Sequence, residues 1–274
     1  MRKLITTKFL AAFFALLLIG FSGNRVFAQL KEPEVVKLPQ PKTPLSEGYH
    51  NRWGADILLN NFGFGIGGTY SRVVGPYTQL TFRTGITGIR NDTEQNFQSF
   101  ITGQQIIPNK YKRALGFPFL FGIKHRLFPR KIADNFRPFI SGSAGPAMAF
   151  TYPYLDDADN NGFRTFNVVS TPYGPTLQPV ERVNDFFTGW KNGHSHWGLS
   201  GSIKIGADIG SFKHPFTVEF GYFFYYFKSG LQIMEPKKPT GYNQSGFPIN
   251  PVPFYDAQNY FGTPQIRLTF GGMW

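Results

Sequence analysis

The stretch from Trp197 to Ile233 constrains this chain more than any other, because two facing segments there alternate apolar and polar residues almost without exception. In the first, Trp197, Leu199, Ile203, Ile205, Ala207 and Ile209 share one parity, and Ser200, Ser202, Lys204 and Asp208 share the other. In the second, Phe216, Val218, Phe220, Tyr222, Phe224 and Tyr226 alternate with Thr217, Glu219 and Gly221. A period of two marks β-strands, whose side chains point to opposite faces in turn. Only Ser211 to Pro215 separates the segments, so they read as a hairpin. A two-residue turn at Lys213-His214 would set Asp208 opposite Glu219 and Lys204 opposite Phe223, leaving both apolar faces on the same side of the sheet.

A face of Ile, Phe and Tyr backed by Lys, Asp and Glu suits a wall with hydrocarbon outside and polar groups inside. Composition agrees: 31 Phe, 13 Tyr and 31 Gly with only 16% charged residues is unusual for a water-soluble domain. It fits barrel strands flanked by aromatic girdles at the membrane interfaces.

At the amino terminus, Arg2, Lys3 and Lys8 lead into the apolar run Phe9 to Phe21, followed by Val26-Phe27-Ala28. This is the pattern of a secretory signal peptide, here residues 1–28, with cleavage expected after Ala28. The run is shorter than the roughly 18 residues a spanning helix needs, and nothing after residue 29 is apolar enough for one. Gln29 and the absence of cysteine exclude a lipid-anchored lipoprotein and a disulfide-stapled domain. The net charge is +12, and loss of Arg2, Lys3, Lys8 and Arg25 with the signal lowers it by four, to +8. Such a balance invites a nucleic-acid reading. An exported protein rarely meets nucleic acid, and the anionic head groups of lipopolysaccharide are the nearer partner.

Residues 29–50 carry Pro33, Pro39, Pro41 and Pro44 and read as an extended, Pro-rich periplasmic leader before a barrel domain at 51–274. Strand-like alternation follows at Trp53 to Asn60, Phe62 to Ser71, Gln79 to Thr87, Leu115 to Lys124 and Arg137 to Phe150, then in the hairpin, and last at Gln265 to Trp274. Pro118 predicts a bulge in the fourth strand. The expected fold is therefore all-β, an antiparallel up-and-down transmembrane barrel of eight strands. Two alternatives are a capping helix at 53–60 and ten strands, the extra pair drawn from 152–196. With both ends in the periplasm, the long connections (91–112, 152–196, 234–258) fall on one side and the short ones at 74–77, 128–136 and 211–215 on the other, as bacterial barrels arrange them.

The closing run Gln265-Ile266-Arg267-Leu268-Thr269-Phe270-Gly271-Gly272-Met273-Trp274 resembles the C-terminal strand by which outer-membrane barrels are recognised for insertion. The chain from about residue 50 onward resembles the small outer-membrane β-barrels of the OmpA, OmpX and OmpW type found in Gram-negative bacteria, nearest to Bacteroidetes-like members. Trp274 stands where Phe is more usual. The resemblance implies an outer-membrane location, Phe270 and Trp274 as an assembly signal read by the outer-membrane assembly machinery, and contact with outer-membrane lipid and lipopolysaccharide.

Alternation places seven charges on the inward face: Asp56, Arg83, Lys124, Lys204, Asp208, Glu219 and Arg267. An eight-stranded barrel is just wide enough for side chains to fill, so these charges are expected to pair as a plug, since unpaired charge in a confined interior is costly. The sharper reading makes Asp208 and Glu219 an acid/base pair. Asp157, Asp159 and Asn161, with Gly162, match the opening of a calcium loop, but the twelfth position is Val168 and not the bidentate Glu. They are weak metal candidates, and no metal is expected. His194 and His196 lie two residues apart on an extended rim and lack a third ligand. Ser195 has no nucleophile-elbow motif around it. Tyr222 to Phe227 reads as an aromatic girdle. No phosphate-cradling loop, zinc spacing or dinucleotide fingerprint is present, so no cofactor is expected.

These features point to a non-enzymatic barrel with a filled lumen, its long surface loops binding an unidentified surface partner. The alternatives are a porin-like narrow conduit for small apolar solutes, which the OmpW-like resemblance implies, and a lipid A-modifying enzyme using Ser195 and His196.

Overall fold

The computed structural model describes residues 40–98, 105–157, 159–171, 174–242 and 248–274. The expected signal peptide and the first part of the leader lie outside these residues. Eight antiparallel strands close into a barrel, each paired with its neighbours in sequence and the last with the first. They are β1 (Asn51–Asn60), β2 (Gly63–Val73), β3 (Thr78–Ile89), β4 (Lys112–Arg126), β5 (Phe136–Pro153), β6 (His194–Ile209), β7 (Phe216–Leu231) and β8 (Gln258–Met273). The seam between β1 and β8 runs in unbroken register from Arg52 opposite Met273 to Asn60 opposite Gln265. Residues 53–60 are thus strand, not a capping helix.

Side-chain alternation decides which face is which. Ile203 is 70% exposed while its neighbour Lys204 is 1% exposed. The same contrast recurs around the ring, with Trp53, Phe64, Phe121, Leu199, Phe220 and Phe270 exposed and the intervening polar residues buried. A closed barrel leaves no open sheet edge, the condition a spanning sheet must meet in hydrocarbon. Among the described residues no helix is long and apolar enough to cross a membrane. The fold is that of a transmembrane β-barrel.

Three features depart from the sequence expectations. In the β6–β7 hairpin Asp208 pairs with Thr217 and Lys204 with Gly221, a shift of two residues from the register that a Lys213-His214 turn would impose. The chain instead turns through Gly210 to Pro215, starting at Gly210 with φ +90, and the Ser211 hydroxyl accepts from the amide of His214. A slip of two keeps every side chain on its predicted face. Pro118 makes no bulge, because pairing of β3 with β4 has the same register on either side of it, from Thr84 opposite Phe119 to Thr87 opposite Gly116. The proline only leaves a gap in the ladder. Lastly, residues 44–48 form a turn, not an extended leader, with Thr43 and Ser46 exchanging amide-to-hydroxyl hydrogen bonds.

Each long connection carries a two-stranded hairpin outside the barrel, at Phe97–Gln98 with Gln105–Ile106, Phe166–Thr171 with Gly174–Pro179, and Lys237–Tyr242 with Pro248–Pro253. The extra strands in 152–196 exist, but they leave the count of wall strands at eight.

Gly221 is among the glycines that close approach of the next strand requires. A Cβ on Gly221 would lie 2.6 Å from Cα of Lys204 and against the carbonyl of Ile203. Gly221→Val is therefore expected to abolish the compact, heat-modifiable band of the refolded barrel on an unboiled gel, because β6 and β7 could not both keep their register.

Candidate functional site

The interior is built in tiers. In the tier nearest the chain termini, Asp208 of β6 accepts from Lys124 Nζ at 2.7 Å and from Arg52 Nη1 at 2.9 Å, and from the Thr217 hydroxyl. Arg52 also donates to Thr217 at 2.6 Å, and Lys124 Nζ sits 3.8 Å from the centre of the Phe139 ring. Above it, Asp56 accepts from Arg267 Nη1 at 2.8 Å and from the hydroxyls of Thr69 and Thr269, both at 2.6 Å. Glu219 accepts from Arg83 at 2.7 Å and lies 3.8 Å from Arg267 Nε. Lys204 donates to the Gln265 side chain.

All seven predicted inward charges are buried and face this interior. Asp208 and Glu219 do not form a carboxylate pair; each has its own cations. The eighth member, Arg52, shares parity with Asp56 and was legible on that ground, although alternation of apolar residues begins only at Trp53. The group holds five cations (Arg52, Arg83, Lys124, Lys204, Arg267) against three carboxylates (Asp56, Asp208, Glu219).

The next tier is apolar. Phe223, Tyr225 and Phe227 are buried and pack inside the barrel with Phe62, Ile89, Leu120 and Phe261. The predicted girdle at 222–227 is therefore only half a girdle, since Tyr222 and Tyr226 face outward while the odd-numbered rings are buried on the inner face. Parity with Glu219 is the signal that marks them. Phe223 and Tyr225 meet edge to face at 4.7 Å, a favourable arrangement of ring quadrupoles. Across the mouth at the long-loop end runs the segment from Leu231 to Glu235. Leu231, Ile233 and Met234 are buried, the Ile233 carbonyl accepts from the amides of Tyr111 and Lys112, and the Glu235 amide donates to Asn109.

The mouth at the end that carries the termini is also covered. Val73, Phe212 and Met273 cluster there with Tyr49. Arg126 donates to the Lys42 carbonyl and to Asp134, and Arg137 binds the carbonyls of Asp134, Gly210 and Ser211.

The remaining sequence candidates are dispersed. Both oxygens of Asp157 are engaged, by the amides of Asn161 and Gly162 and the hydroxyl of Tyr111, and Asp159 accepts from Asn161. Ala158 lies outside the described residues. These are the bonds of a solvated turn. The His196 ring bonds to Thr151 at 3.0 Å, His194 is exposed, and Ser195 and His196, as strand neighbours, face opposite sides of the wall. Phe270 and Trp274 are exposed.

No protein-family model matches the chain, and no curated protein does. Among solved structures it is similar to the outer membrane protein OprG from Pseudomonas aeruginosa, with 7% identity, 85% of this chain and 97% of that chain covered, and a TM-score of 0.35. Acinetobacter baumannii CarO2 shares 12% identity at a TM-score of 0.29, covering 81% of this chain and 98% of that one. CarO from the same organism shares 10% at 0.28, covering 81% and 97%. Such values leave the function of this chain to its own residues. Closed wall, apolar belt and charged interior together define an integral membrane β-barrel of the outer-membrane type.

Two outcomes test the tiers. Asp208→Asn leaves Lys124 and Arg52 buried without a counter-charge and is expected to cost roughly 3–5 kcal/mol, read as a lower urea midpoint in micelles. At the mouth, burial pushes the Glu235 carboxyl up to about 7 from 4.5, against the opposing Arg164 amide bond. The folded mouth thus binds a proton more tightly than the unfolded chain does. Its contribution is full below about 4.5 and is lost as pH rises through about 7. Loop proteolysis should accelerate from pH 5 to pH 8, and Glu235→Gln should flatten that profile.

Proposed function

We propose that this protein is a Gram-negative outer-membrane barrel with a lumen closed to solutes, whose outer loops form a docking platform for a surface partner. The observation that carries the reading is the stacking of two unlike seals in one bore, ion pairs below and aromatic rings above, with the 231–235 segment across the outer mouth. A conducting pore keeps a polar, hydrated path, and the ring tier interrupts any such path. The platform is supported by the hairpins in all three long loops and by exposed Val180, Val183, Phe186, Phe187 and Trp190 between β5 and β6. Apolar residues grouped on an outer loop are suited to recognition. The proposed role is non-enzymatic. Lipopolysaccharide around the wall and the assembly machinery acting on the Phe270 and Trp274 strand are its proposed general partners.

The test is planar-bilayer conductance of the refolded mature protein. It should be silent, and Tyr225→Ala combined with deletion of 232–256 should produce discrete openings. Stable conductance of the unmodified barrel would overturn the closed-lumen reading in favour of a narrow conduit, with Arg83, Lys204, Asp208 and Glu219 as its selectivity residues.

A further inference from the structure

The lipid-facing wall is not smooth. Where β4, β5 and β6 meet, the outward positions Gly142 and Ala144 leave a concavity of about 1020 Å³, rimmed by Phe121, Ile140 and Ile203 and closed at its far side by the Phe224 ring over Gly201. All three rim residues are well exposed, and a Cβ built on Gly142 meets nothing within 4 Å. The trough runs from the level of Ile140 to that of Ala144, about 13 Å at ~3.3 Å per residue, close to half the ~25 Å apolar band of such barrels. It lies in the half of β5 nearest the β4–β5 turn, and its length suits part of one acyl chain.

Its lower end is chemically distinct. His125 borders it, and the β4–β5 turn directly below exposes Arg130 and Lys131. His125 is bonded to the Thr78 hydroxyl at 3.0 Å. The acid of that turn, Asp134, faces away from the trough toward Arg126 at 2.8 Å and the Lys42 amide at 3.0 Å. The turn thus presents cations to the membrane surface. Phe128, 58% exposed and held at φ +52, adds an aromatic ring at the depth where rings seat among head groups.

We propose that this trough and turn form a binding site for one inner-leaflet phospholipid with a net-negative head group. One acyl chain lies over Gly142 and Ala144, against the Phe224 ring, and the phosphate is held by Arg130, Lys131 and His125. The proposal rests on the reading of the chain as a membrane barrel. Failure of that reading would show separately, as a protein that stays folded and monodisperse without detergent.

The experiment is native mass spectrometry of the refolded, heat-modifiable barrel with phosphatidylglycerol or phosphatidylethanolamine added to the micelles. The unmodified protein should retain one phosphatidylglycerol in preference to phosphatidylethanolamine. Gly142→Leu fills the trough from a position with open space around it and should weaken retention about tenfold. Ala144→Leu repeats that test from the next outward residue of β5. Arg130→Gln with Lys131→Gln should leave chain binding in place and erase the head-group preference. Retention by both trough-filling variants as strong as that of the unmodified protein, or no preference in the unmodified protein, would overturn the proposal.

Discussion

The register between β1 and β8 is the constraint on which the rest of this structure depends. In hydrocarbon an open sheet edge would leave a row of amides and carbonyls without partners, each costing several kcal/mol, so the wall must close on itself. Closing it with eight strands fixes a narrow bore. The bore is too narrow to hold bulk water, and the side chains that point into it must satisfy one another. The ion pairs at Asp208, Asp56 and Glu219 answer that demand.

The two chemistries in the bore sit where each is tolerated. Charges lie low in the barrel, where Thr69, Thr217 and Thr269 supply further hydrogen bonds. Rings lie high, where β1 and β2 end short and the Phe62 side chain folds inward at their turn. Aromatic packing is indifferent to exact register in a way that bidentate charge contacts are not. Segments tied to the loops therefore meet rings and aliphatic side chains, while the rigid lower wall carries the ions.

Much of this could be read from the chain alone because strand parity is a local property. Ile203 and Lys204 declare opposite faces without knowledge of their neighbours, and the same rule placed Asp56, Arg83 and Arg267 inside. What parity cannot supply is which inward residue meets which. That depends on the stagger of strands around the ring, so Asp208 and Glu219, adjacent on paper, belong to different clusters. The turn at Gly210 to Pro215 was misread for a related reason, since turn length and register trade off and both choices keep the same faces. The hairpins in the loops and the burial of Glu235 leave no periodic trace, because they arise from contacts between connections far apart in sequence.

The ion pairs have a mechanical consequence. Arg83 on β3 and Glu219 on β7 stand four strands apart in a ring of eight, and Arg52 on β1 reaches Asp208 on β6. They act as spokes across the hoop. A hoop without spokes flattens when lateral pressure in a bilayer changes, and flattening bends the wall most sharply at two opposite points, where ladder hydrogen bonds would part. Struts across the bore hold the section round, so the β1–β8 seam is shielded from swings in membrane tension that it does not itself oppose.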